Sequence, residues 1–411
     1  MTRTTTLIIG AGQCGLAMSH ALSRRSIDHL LIDAGEAGES WRSRRWPSLT
    51  LLTPNWMNLL AGQRFATGDP DAYMTAGDFA EEIGAWVQRN APPILTRTAV
   101  HSISRKGAGF RAETSAGPID SQAVVVATGA CALPRIPSFA AAVPANVVQT
   151  SPLTYRGPDG LPAGRVLVVG ASASGLQIAR ELARSGRQVT LAVGNHGRLP
   201  RVYRGADIMM WMHLLGVFDE PVTEVDDIER VRRTPSLPLI GTPAQETLDL
   251  NALRALGVEV VGRMVDIRAG KALFSGSLAN VTAAADLKMN RLLDRIDDWA
   301  RDHGFDTLIE PAQRYALTEV PDDPRLELGL DGITTIVWAT GFTPDHRFIH
   351  MPVFDRKGRI RHHGGVVERG LYVMGLPYLR TARSVHIDGA QDDAEALAGQ
   401  LACDLDQAIA A

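Results

Sequence analysis

Two glycine-rich turns carry the residue types that hold a pyrophosphate. Gly10-Ala11-Gly12-Gln13-Cys14-Gly15 follows the apolar run Leu7-Ile8-Ile9, and Gly170-Ala171-Ser172-Ala173-Ser174-Gly175 follows Val166-Leu167-Val168-Val169. In such a turn the first glycine allows the tight strand-to-helix bend. The second position must be small so that backbone can approach the phosphates, and the third lets helix and strand pack closely. The pyrophosphate then rests on free N–H groups at the helix N-terminus. One G-x-G-x-x-G is a weak signal, because a glycine-rich turn can bind nothing. Two of them, each between a strand and a helix, suggest two dinucleotides held for electron transfer. Ser172 makes the second motif the weaker.

The residues that end the next strand separate ribose chemistries. Leu30-Leu31-Ile32 ends at Asp33. A carboxylate there bonds free ribose hydroxyls and repels a 2′-phosphate, which fits FAD or NAD. After the second motif, Val189 to Val193 ends in Gly194-Asn195 with no acid, and His196, Arg198, Arg201 and Arg204 follow. Arginine near this strand end accommodates a 2′-phosphate, so the second site is expected to take NADPH. A solvated basic loop is the competing reading of any single arginine. Two buried strands end in the same tripeptide, Ala127-Thr128-Gly129 and Ala339-Thr340-Gly341. Each is expected to bring bare backbone close to a cofactor.

The elements that must position these residues fit a chain of 411 residues, enough for two domains with separate cores. Lys+Arg number 42 against Asp+Glu 45, a formal net charge of −3, which supports neither nucleic acid nor a membrane surface as partner. The cysteines are Cys14, Cys131 and Cys403, without C-x-x-C, so no disulfide framework is expected and the cytoplasm is the default location. No metal set stands out among the 11 His. Helices are expected over 78–90, 281–303 and from about Asp392 to Leu405, and a last strand over 371–375. The fold class read from this pattern is α/β with two Rossmann-like dinucleotide-binding domains. Residues 1–150 and 332–411 would form a discontinuous FAD domain, and 151–331 an inserted NADPH domain with a helical insertion.

The residues resemble the two-dinucleotide flavoproteins, and within them the flavin-containing monooxygenases. The resemblance spans essentially the whole chain. It rests on GAGQCG with Asp33, Ser40-Trp41-Arg42, GASASG followed by Pro200 to Gly205, the paired Ala-Thr-Gly segments, and Leu371 to Gly375 with Ile387-Asp388-Gly389. It implies that Gly10, Gly12, Gly15 and Asp33 hold the adenosine half of FAD, with Trp41 and Arg42 beside the flavin. Asp388 and Gly389 would open a helix facing the pyrimidine edge of the ring, which favours the anionic reduced form. Asn55 would be the amide near the reacting flavin carbon. The linking signature F-x-G-x-x-x-H is absent, since Ala140-Ala141 follow Phe139, and Leu376 stands where related disulfide reductases have an acid.

Three functions compete. The first is an NADPH-dependent monooxygenase that uses an FAD C4a-peroxide and O2 to oxygenate a small organic molecule, N- or S-oxygenation being favoured. Such chemistry belongs to the cofactor and needs few catalytic side chains. The second is an NADPH:acceptor reductase, with disulfide acceptors disfavoured by the missing C-x-x-C. The third is a nucleotide-binding protein without turnover. Trp46, Trp56, Met209, Met210 and Trp211, in segments 41–60 and 205–245, suggest a partly apolar substrate pocket. The sequence leaves the oligomeric state open, a homodimer included.

Overall fold

A computed structural model describes residues 2–410. The first sheet is built around strand Thr2–Ile9, which pairs in parallel with His29–Ile32 on one side and Gly117–Val126 on the other. Leu7 and Ile8 are fully buried because both faces of the sheet are covered, and this is why the strand reads as an unbroken apolar run. Ile94–Leu95 extends the sheet beyond His29–Ile32, and Leu371–Val373 extends it in parallel beyond Gly117–Val126. Strands Val100–Lys106 and Gly109–Thr114 continue it antiparallel. Helix Gln13–Ser23 crosses one face, and the last helix, Gly389–Ala410, packs on it with Ala394, Leu397 and Leu401 buried.

Local chemistry sets the helix at Ala76–Asn90. Thr75 and Asp78 form a capping box, and Phe79, Ile83 and Trp86 bury one face. The helix stops where Ala91 turns left-handed, at φ 42°, ahead of Pro92 and Pro93. The helical insertion forms over Leu278–Asp302, with Met289, Leu293 and Ile296 against Tyr203, Met209 and Trp211.

The second sheet has five parallel strands in the order Glu259–Val261, Val189–Ala192, Arg165–Val169, Ile333–Trp338, Val148–Thr150. This corrects the expected boundaries. The sequence pattern places Ile333–Trp338 in the first domain and Val148–Thr150 before the division, yet both strands belong to the second sheet. Ile333–Trp338 is bonded on both sides there and buried on both faces, which its apolar run foretold without specifying the sheet. The strands of this second unit therefore lie between 148 and 338. The outgoing and returning chain cross together, Leu133–Pro134 pairing antiparallel with Phe342–Thr343.

Candidate functional site

Each fingerprint closes against one Ala-Thr-Gly segment. Gly10 has φ +105°, and a Cβ there would lie 2.6 Å from the Ala127 carbonyl oxygen. A Cβ on Gly15 would lie 1.8 Å from the Gly10 oxygen. At the second site Gly170 has φ +111° and would meet the Ala339 oxygen at 2.3 Å, and Gly175 would meet the Gly170 oxygen at 1.8 Å. These four glycines are required by backbone packing whatever binds. Gly12 differs, since a Cβ there would point into open space. That is the position at which a bound pyrophosphate needs room.

Further features of the first cleft fit a dinucleotide. Gly12 caps helix Gln13–Ser23 without any side-chain acceptor, so its first-turn N–H groups are available to an anion. The Thr128 hydroxyl is buried with no hydrogen-bond partner among the described residues, an arrangement that is costly unless a ligand completes it. A Cβ on Gly375 would touch Cys14 Sγ at 3.0 Å and Gly129 Cα at 3.4 Å, so the late strand closes on both. The Cys14 side chain packs against Gly375, and burial pushes its thiol up to about 12.

Asp33 stands at the end of its strand, with Oδ2 accepting from Ala11 N at 2.7 Å and Oδ1 from Gly35 N at 2.8 Å. Burial raises its pKa while these two bonds oppose the rise. Each oxygen keeps a free lone pair for a ribose hydroxyl. Trp41 Nε1 donates to Gln13 Oε1 at 3.2 Å, which places Trp41 over the first fingerprint, and its neighbour Arg42 is exposed. Asp388 Oδ1 accepts from Gly389 N at 2.9 Å and Oδ2 from Arg383 at 2.9 Å, which orders the start of the last helix. Arg383 also reaches Asp219 and, at 3.2 Å, His213 Nδ1. That contact joins the last helix to the second unit. Asn55 is buried, its Nδ2 donating to the Asp69 carbonyl at 2.9 Å, and its Oδ1 is unpartnered among the described residues.

At the second site Ser172 caps helix Ala173–Arg184 without a side-chain bond, leaving its N–H groups as accessible as those at Gly12. Ser174 is half-buried in the first turn. Thr340 donates to the Arg135 carbonyl, and Arg135 N donates to the Gly341 carbonyl at 2.9 Å. The second Ala-Thr-Gly is thereby braced on the outgoing crossover.

The arginine expectation is overturned. Arg198 is held by Asp249 at 2.7 Å and Asp286 at 2.8 Å. Arg201 is fully buried, pairs with Asp207, donates to the Leu52 carbonyl at 2.8 Å and stacks 4.7 Å from the Tyr73 ring. Arg204 pairs with Asp297 at 3.3 Å and Asp306 at 2.8 Å. All three guanidinium groups face inward and are neutralised, so none is offered to a phosphate. The basic run positions the insertion and clamps the segment around Leu52 and Tyr73. Arg263, two residues beyond strand Glu259–Val261, is exposed and donates to Asn195 Oδ1 at the strand end.

Comparison with known proteins accords with this geometry. Residues 7–208 match a family described as pyridine nucleotide-disulphide oxidoreductase. An uncharacterized CzcO-like oxidoreductase of Geobacillus kaustophilus is 30% identical over 398 residues, covering 95% of this chain and 96% of that one. A probable indole-3-pyruvate monooxygenase of Arabidopsis thaliana, YUCCA4, is 25% identical over 368 residues, covering 82% and 84%. The structure of a flavin-containing monooxygenase from Stenotrophomonas maltophilia superposes with a TM-score of 0.67 at 18% identity, covering 98% and 99%. The chain thus belongs to the CzcO-like oxidoreductases, and it shares its fold with the flavin-containing monooxygenase of Stenotrophomonas maltophilia.

Proposed function

We propose that this protein is an FAD- and NADPH-dependent monooxygenase acting on a small organic molecule with O2. One observation carries the reading: two glycine cradles, each closed by an Ala-Thr-Gly segment, are joined through one pair of crossing strands. Such pairing suits one nucleotide that delivers hydride to another. FAD would accept the hydride and activate oxygen. The chain's own residues bind, orient and exclude water. Gly10, Gly12, Gln13, Cys14, Gly15, Asp33, Ala127, Thr128 and Gly129 form the FAD cradle. Gly170, Ser172, Ser174, Gly175, Ala339, Thr340 and Gly341 form the NADPH cradle. The N-terminus of the last helix at Asp388 and Gly389 places positive dipole where a reduced ring carries charge. Trp56 and His213 meet edge-on at 5.4 Å, and His213 bonds Arg383, which also holds Asp388 at the start of the last helix.

The absence of a C-x-x-C and the free state of all three cysteines favour oxygen over a disulfide as electron acceptor. Amines and thioethers are the favoured acceptors of the oxygen atom. The test is incubation with NADPH, isotopically heavy O2 and a panel of thioether and tertiary amine probes. Heavy oxygen in a product supports the reading. NADPH consumption with no labelled product from any probe, and electron delivery to quinone or disulfide acceptors instead, would establish the reductase.

A further inference from the structure

We infer that Arg263, with Asn195, reads the 2′-phosphate of NADPH. The inference rests on the proposed use of that nucleotide. Its ground is a comparison between the two halves of the chain. Gly10 N donates to the Ile32 carbonyl at 2.8 Å, and Gly170 N donates to the Ala192 carbonyl at 2.9 Å. The two fingerprints therefore stand in the same register on their neighbouring strands, and the counterpart of Asp33 is Val193. One strand further out the match continues. Asp33 N donates to the Leu95 carbonyl at 3.2 Å, and Val193 N donates to the Val261 carbonyl at 2.9 Å. Two residues beyond Leu95 and Val261 stand Arg97 and Arg263, one in each half.

The two arginines differ in what surrounds them. Arg97 is paired with Glu36 at 2.7 Å, beside the Asp33 carboxylate that suits free ribose hydroxyls. Arg263 has the neutral amide of Asn195 as its side-chain partner, and among the described residues it forms no ion pair. Its Nε lies 3.7 Å from where a Cβ on Gly194 would be, so it lies across the strand end with nothing interposed. The acid that would repel a phosphate is replaced by buried Val193. A phosphate monoester brings close to two negative charges and needs an uncompensated cation there. Arg263 supplies it, and Arg198, Arg201 and Arg204 do not.

The test uses FAD-loaded protein and calorimetric binding of 2′,5′-ADP and 5′-AMP, beside flavin reduction by NADPH and NADH. Arg263→Ala is expected to weaken 2′,5′-ADP binding by roughly 10–100-fold, the loss of one charge-assisted contact. Binding of 5′-AMP should stay unchanged. The KM for NADPH should rise to a similar extent at unchanged kcat. Arg268→Ala, an exposed arginine paired with Asp266, is the control expected to do nothing. Equal binding of 2′,5′-ADP by Arg263→Ala and the parent protein overturns the inference and leaves the monooxygenase reading intact. So does a parent protein that binds both adenylates alike. A parent protein reduced by neither pyridine nucleotide overturns the functional reading itself.

Discussion

Gly10 and Gly12 are two residues apart and answer to different demands. Gly10 is needed for folding, because its φ of +105° and the Ala127 oxygen leave no place for a Cβ. Gly12 is open in the protein alone. Gly10→Ala should lower stability by about 1–3 kcal/mol, measured by urea denaturation. Gly12→Ala should leave the stability of the FAD-free protein within about 0.5 kcal/mol while FAD affinity falls at least about tenfold. Equal loss of stability in both would contradict a ligand role for the open position. Asp393 gives a pH signature. It is buried in the first turns of the last helix, and burial pushes its carboxyl from 3.8 to about 6. Between these values the native state holds a proton that the unfolded state has released. Stability therefore falls as pH rises through this window, by up to ~3 kcal/mol. Asp393→Asn should raise the midpoint of thermal unfolding above pH 6 and change little near pH 4. The glycines and Asp33 were legible in the sequence because their requirements are local. The roles of Arg198, Arg201 and Arg204 were not, since partners such as Asp249, Asp286 and Asp297 are distant in sequence and no local pattern announces them.

At the scale of elements, Arg201 ties two parts of the chain together. It holds Asp207 at the start of a helix in the second unit, and the Leu52 carbonyl and Tyr73 ring beside the first. Removing one member of a buried pair leaves the other charge uncompensated. Arg201→Ala should destabilise by roughly 3–5 kcal/mol, read from denaturant midpoints, without altering the preference between NADPH and NADH. A selective loss of NADPH binding in a stable Arg201→Ala protein would restore the phosphate role. Thr75→Ala removes half of a capping box and should cost about 1 kcal/mol in the same assay. Helices were readable from their apolar faces, and the observed Ala76–Asn90 and Leu278–Asp302 lie within a few residues of the spans expected. Strand Ile333–Trp338 was readable as a strand but not as a member of the second sheet. Burial on both faces gives every such run the same apolar signature, and its pairing with Arg165–Val169 is a long-range choice.

For the whole molecule, two half-sites must act as one. Their approach is fixed by the paired crossovers at Leu133–Pro134 and Phe342–Thr343, and by Arg383 bridging Asp388 to Asp219. No helix among the described residues is long and apolar enough to cross a membrane. Under the proposed function, hydride from NADPH reaches FAD within this frame and the electrons then go to oxygen and a small molecule. Anaerobic addition of NADPH to the purified, FAD-loaded protein, followed by mixing with air, tests this transfer. The flavin should bleach with one NADPH per FAD. After air, colour should return with less hydrogen peroxide than FAD when an oxygenatable thioether or amine is present. Failure to bleach, or full recovery of peroxide with every probe, would contradict it.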